Sequence, residues 1–221
     1  MALTIAAEEG AGAVSMSRVA SRLGVAMPSL YYYVENLDEL LSLVAAELLR
    51  EMPLPNPRLR WDRWLTEFAQ TMRSLLLEQP ILTRLSYLSV HPPFRPQVLE
   101  QALRVLTKAG FSAEYALAIV GQHIRLVVDL VHAEHALAKE RQNGRNPVSE
   151  LRRSAKTATP EEIPLLLGVL EGYAHLPEDI GDYSEVLFEW VMSVQMAGLA
   201  AVLEGRVPWT LLGPPRHPEL D

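Results

Sequence analysis

Cysteine is absent from the 221 residues, which excludes disulfides and thiolate metal sites and is compatible with a reducing compartment. Absent too is any uninterrupted apolar run near the ~20 residues that span a bilayer. The N-terminus lacks the positive flank of a signal peptide, so the chain is expected to be cytoplasmic, with no membrane partner. Positive charge is scarce: 20 Lys and Arg stand against 27 Asp and Glu, a formal net charge of −7. Residues 1–50 hold only Arg18, Arg22 and Arg50 against Glu8, Glu9, Glu35, Asp38, Glu39 and Glu47. No nucleophile elbow, phosphate-binding glycine loop or paired-carboxylate arrangement occurs, so nothing supports an enzyme. Internal repeats and strand-like alternation are missing as well. What is there is apolar material, 49 % of the chain, recurring at helical spacing, and the expected fold class is all-α.

The most informative stretch is 15–41, SMSRVASRLGVAMPSLYYYVENLDELL. Val19, Ala20 and Leu23 give a first helix an apolar stripe, with Ser15 placed to cap it. Gly24 supplies the permissive backbone of a tight turn. Pro28 falls in the first turn of the next helix, where its missing N–H costs nothing. Leu30 packs inward from that helix, leaving Ser29, Tyr31, Tyr32 and Tyr33 to divide between surface and core. Asn36-Leu-Asp-Glu39 opens a further helix to about Arg50 in the manner of a capping box. This spacing lets two helices cross at close range and presents the second outward, as in a helix-turn-helix.

Beyond it, MPLPNPRLR cannot continue a helix and marks a module boundary. The expected division is 1–50, a helix-turn-helix domain; 60–205, a larger helical domain; and 206–221, a Pro-rich tail with Trp209 docking it. Trp64, Leu65, Phe68, Met72, Leu75 and Leu76 recur at helical spacing between Asp62 and Glu78. Helices are also expected over 81–89 and 95–109. A long one, capped by Ser112 and running to about Arg141, carries Leu117, Val120, Ile124, Val127, Val128 and Val131. Residues 142–158 read as a polar loop. Thr159-Pro-Glu-Glu162 and Asp182-Tyr-Ser-Glu185 are capping-box starts for helices to about Tyr173 and to Gly205, the last carrying Leu187, Trp190, Val191, Val194 and Val202.

The pattern RxAxxLGVxxPxLYxYVxNxxxLL from Arg18 to Leu41 resembles the N-terminal domain of the TetR (tetracycline-repressor) family of bacterial transcription regulators. More weakly, residues 61–141, including GFSAEYAL and HALAKE, resemble the ligand-binding body of the tetracycline-repressor branch. Two departures stand out. Residues 1–14 leave helix 1 without its usual first turns and basic arm, and Leu37 occupies the position where the family commonly has a phosphate-binding Lys. The resemblance implies a regulator, expected to be a repressor released from a palindromic double-stranded DNA operator by a small-molecule inducer. It further implies a homodimer through residues 113–141 and 183–204, where Ala197, Gly198 and Ala201 allow close helix approach. Two reading helices would then sit about one DNA turn (~34 Å) apart.

Within the reader, Met27, Pro28 and Ser29 are expected at base edges and Tyr31 and Tyr32 at phosphates or bases. Tyr33 reads equally as a DNA contact or as packing against helix 1. Ser15, Ser17 and Arg18 should sit over the DNA backbone. The few cations predict weak non-specific binding with a shallow salt dependence. The alternative is a helical ligand-binding or interaction protein that kept the fold and lost DNA binding.

For the inducer, Trp64, Phe68, Met72, Tyr87, His123, Val127 and Val131 could line an apolar cavity with a few polar tips, or form solid core. In the family, tetracycline is held as a magnesium chelate by a histidine and a glutamate. The nearest positions here are Ser86 or Tyr87, and Val131, poor magnesium partners, so an apolar or aromatic inducer is expected and no cofactor. Asp129, His132 and His135 could in principle bind zinc, but steps of three drift around a helix, and no metal site is expected.

Overall fold

The computed structural model describes residues 1–79, 81–82, 96–145, 147–172 and 181–206, and among them the only regular secondary structure is helical. An N-terminal helix-turn-helix region comprises α1 (Ala2–Glu9), a 3₁₀ turn at Ala11–Ala13, α2 (Met16–Leu23), α3 (Met27–Tyr31) and α4 (Leu37–Glu51). The body follows as α5 (Trp61–Glu78), α6 (Pro96–Ala109), α7 (Ala113–Gln142), α8 (Pro147–Ala155), α9 (Pro164–Gly172) and α10 (Gly181–Leu203).

Caps and turns fall where side-chain chemistry places them. Ser15 Oγ accepts the Arg18 N–H, Asn36 Oδ1 accepts that of Glu39, and Ser112 Oγ accepts that of Tyr115, each satisfying an orphan donor of a first turn. Gly24 closes α2 in the left-handed region, φ 68°, and the Val25 N–H returns to the Ala20 carbonyl. The short first helix is anchored by fully buried Ile5 and packs against α4.

Three expectations about helix limits are corrected. Residues 142–158 are not all loop: Pro147 opens α8, with Glu150 in its first turn and Arg152 and Arg153 in its last, a charge order that favours the helix dipole. Thr159–Glu162 closes only a turn, the Thr159 N–H donating to the Glu162 carboxylate at 2.8 Å. The helix waits for Pro164, because the residue before a proline is disfavoured in the α region. Asp182 lies inside α10 rather than before it. The helix expected over 81–89 and the tail with Trp209 lie outside the described residues, apart from helical 81–82.

Long α7 packs against both α5 and α6, with α10 laid along it. One continuous buried cluster runs from Ala2 and Ile5 through Leu41, Ala45, Leu49 and Met52 into Trp64, Val127 and Met192. Four positions of the anticipated apolar stripes face outward instead, two of them Trp190 and Val194 of α10. Leu23 of α2 and Leu117 of α7 are exposed, and Met16 and Ala116 take the inward places. By length and composition alone, α7 and residues 184–203 of α10 could cross a membrane, although neither is an unbroken apolar run. Nearly half of the α7 window is buried in the core, whereas that of α10 is largely uncovered.

Candidate nucleic-acid interface and ligand enclosure

The reading surface is built by α2 and α3. Inward, Val19, Ala20, Leu30 and Val34 lock the two helices together. Outward, α3 shows Pro28 and Ser29, with Met27 half-buried at its start. Tyr31 is half exposed, Tyr32 is 85 % exposed and Tyr33 is 77 % exposed. Tyr33 therefore does not pack against helix 1; its ring meets Tyr32 edge-on, centroids 5.3 Å apart. Ser17 and Arg18 are exposed and Ser15 is half-buried, its hydroxyl 3.2 Å from that of Ser17.

All three arginines of residues 1–50 are engaged by carboxylates. Arg18 donates from Nε and Nη2 to Glu9 Oε2 at 3.1 and 2.7 Å. Arg22 Nη2 donates to Glu8 at 2.6 Å and to Glu9 Oε1 at 2.8 Å. Arg50 donates to Glu47 at 2.6 Å. Hydrogen bonds from the two guanidinium groups hold the Glu9 carboxyl below its usual range.

In the body, Trp64, Phe68 and Met72 of α5 and His123, Val127 and Val131 of α7 come together as fully buried neighbours in the core. Tyr87 lies outside the described residues. The Trp64 and Phe68 rings stack at 5.2 Å. A solvent-open groove of about 740 Å³ lies elsewhere, lined by Pro57, Pro96, Gln97, Glu100, Arg104 and Lys108 among others.

His123 is the polar residue inside this apolar region. Its Nε2 lies 2.9 Å from the Leu65 carbonyl and its Nδ1 lies 2.7 Å from Gln195 Oε1. Burial pushes its pKa down, so the ring is neutral, Nε2–H donates to Leu65, and Nδ1 must accept. Gln195 satisfies that demand with its amide turned over: Nε2, otherwise buried without a partner, then donates to the ring. The histidine thus ties α5, α7 and α10. Trp64 Nε1–H has no such remedy and stays buried without an acceptor.

Sequence reasoning missed a second tie. Arg73 on α5 donates to both oxygens of Glu134 on α7, at 3.0 and 3.1 Å, and its guanidinium lies 5.2 Å above the Phe188 ring of α10. Only the fold joins residues 61 positions apart in sequence. The Asp129–His132–His135 series does not converge: Asp129 is exposed beside Arg125, His135 is half-buried, and no group of three or more such side chains comes together among the described residues. Nor does the structure suit a magnesium chelate at Val131, which is apolar and fully buried.

Comparisons with known proteins cover the whole described architecture. The profile described as bacterial regulatory proteins, tetR family, matches residues 1–44, and that described as tetracyclin repressor-like, C-terminal domain, matches residues 53–203. The class E tetracycline repressor protein of Escherichia coli is 31 % identical over 141 residues, 62 % of this chain and 66 % of that protein. The matched stretch thus spans just under two thirds of that curated relative. ActR of Streptomyces coelicolor, a TetR family protein solved in complex with actinorhodin, is similar at 27 % identity and a TM-score of 0.74, covering 91 % of this chain and 92 % of its own. Apo ActR aligns at 26 % identity and a TM-score of 0.72, over 93 % and 94 %.

Proposed function

The chain belongs to the TetR family of bacterial regulatory proteins, and we propose that it is a cytoplasmic repressor that leaves a palindromic operator when a small apolar or aromatic molecule enters its body. One observation carries this reading. The helix-turn-helix turns its tyrosines away from its own core, with Tyr32 exposed two residues after buried Leu30. Ring and hydroxyl together suit Tyr31 and Tyr32 to phosphates and base edges, with Tyr33 beside them. Met27, Pro28 and Ser29 meet bases at the helix start, and Ser15, Ser17 and Arg18 flank the backbone.

Pairing of two copies through 113–141 and 183–204 supplies the second reader. Exposed Leu117 on α7 and exposed Val186, Trp190 and Val194 on α10 support this, being apolar surface on those two helices. The same pairing accounts for the uncovered apolar length of α10 without a bilayer.

For the ligand, the buried group of Trp64, Phe68, Met72, His123, Val127 and Val131 is the enclosure. The orphan Trp64 indole N–H favours a flat molecule carrying a carbonyl or phenolic oxygen, since that acceptor would satisfy a donor now buried alone. The actinorhodin complex of ActR supports a small-molecule effector here. Coupling runs through α4, whose Leu41, Ala45 and Leu49 share the core of the body. A ligand that favours the DNA-incompetent arrangement shifts the balance, and ~1–3 kcal/mol of differential affinity suffices for a measurable response.

Fluorescence anisotropy with DNA flanking the gene tests the reading. Binding is expected, and Tyr32→Ala should weaken it roughly ten-fold or more. A paired protein that ignores every duplex would end this reading in favour of a helical ligand-binding protein without DNA activity, which the neutralised arginines of residues 1–50 favour.

A further inference from the structure

We infer that Glu8 and Glu9 act as built-in substitutes for DNA phosphates, offsetting the charges of Arg18 and Arg22 and thereby suppressing sequence-independent binding. The inference rests on the DNA-binding reading above and goes beyond it.

Glu8 and Glu9 end α1. Acidic side chains there face the negative end of the helix dipole, and no basic residue occupies that last turn, so the position is locally unfavourable. Their partners lie across the 3₁₀ turn on α2, where Arg18 and Arg22, four residues apart, share one face. Glu9 serves both guanidinium groups, one on each oxygen, and Glu8 serves Arg22. Two cations and two anions sum to zero. Both arginine side chains remain one third to one half exposed, so the cluster contributes little to stability and lies open to a competitor.

A phosphodiester is that competitor, since guanidinium pairs with carboxylate and phosphate in the same fork geometry. Affinity for any duplex comes largely from cations that release counterions from phosphates, and a neutral cluster releases none. Contacts of α3 with base edges carry no such dependence. Pairing the arginines internally therefore weakens binding to all sequences while sparing the part that reads sequence. The result is lower affinity for every duplex, so that the base contacts of α3 carry a larger share of the total binding.

The test compares the full-length protein with the double variant Glu8→Gln/Glu9→Gln. Anisotropy is measured on a mixed-sequence duplex and on a duplex selected by the wild-type protein from a random pool, over a salt series. The variant should bind the mixed duplex roughly ten-fold or more tightly near ~0.1 M salt, with a log K against log[salt] slope steeper by about 1.8, or 0.9 per freed arginine. The freed charges serve both duplexes alike, so the ratio of the two affinities should stay the same. Arg22→Gln should leave the wild-type salt slope nearly unchanged and should remove about half of the added slope in the double variant. Unchanged or weaker mixed-duplex binding by a helical, paired variant overturns the inference, as does an Arg22→Gln effect equal in both backgrounds. If the wild type binds its selected duplex, those failures leave the DNA-binding reading standing; if neither protein binds any duplex, both fall.

Discussion

Among the described residues, two regions hold aromatic side chains in water, and they differ in chemistry. In the turn that ends α3, Tyr32 and Tyr33 project with hydroxyl tips, shortly after exposed Pro28 and Ser29. On α10, Trp190 is 61 % exposed between exposed Val186 and Val194, four residues to either side along one stripe. A tyrosine face is wet at its rim and can exchange water for phosphate or base edges. The α10 stripe offers almost nothing but hydrocarbon and indole, which water hydrates poorly, and its natural cover is another apolar surface. Under the proposed function, equal exposure thus suits two different partners: nucleic acid for the tyrosine face, a second copy for the α10 stripe.

Four experiments break or sharpen that contrast. Val194→Glu places a charge in both halves of a two-fold contact; it should leave a monomer by light scattering, and loss of the second reader should lower operator affinity by roughly 10²–10⁴-fold. Phe68→Ala removes a ring that is buried rather than displayed, and the urea midpoint should report a loss of about 3–5 kcal/mol. Tyr32→Ala should do the opposite, costing roughly ten-fold or more in operator binding while leaving stability within about 0.5 kcal/mol. A Tyr32→Ala protein that melts early would show that this ring supports the fold.

The smallest effect concerns His123. Its folded pKa is depressed by burial, so below the unfolded value near 6.5 the unfolded chain binds a proton that the folded chain refuses. Stability is therefore complete above about pH 6.5 and falls by up to about 1.4 kcal/mol per pH unit beneath it, until the folded pKa is reached. Urea midpoints from pH 7.5 to 5.5 should show this slope in the wild type (~2 units of pH suffice), and His123→Gln should flatten it.

Much of this was legible in the residues. Ser15, Gly24, Pro28 and Asn36 act within four positions of themselves, so local chemistry fixes α2, α3 and the start of α4. The all-helical body follows from apolar spacing, and its inner faces at Trp64, Phe68 and Val127 agree. The outward turn of Leu23 and Leu117 did not follow, because periodicity identifies an apolar position without saying what covers it. The overlooked α8 carried a signal, Pro147 followed by acid and then base, that was read only as punctuation. The ties Arg73–Glu134, His123–Gln195 and Arg18–Glu9 join separate helices, and a sequence scan that works by local spacing cannot pair them.

The unbroken apolar seam from Ile5 to Met192, with Leu49 and Met52 at its waist, leaves no natural plane along which reader and body could melt apart. Heat should dissolve both in a single calorimetric transition, and an amide in α2 should exchange its hydrogen on the same schedule as one in α5. Anything that firms the body then lengthens the working life of the reader as well.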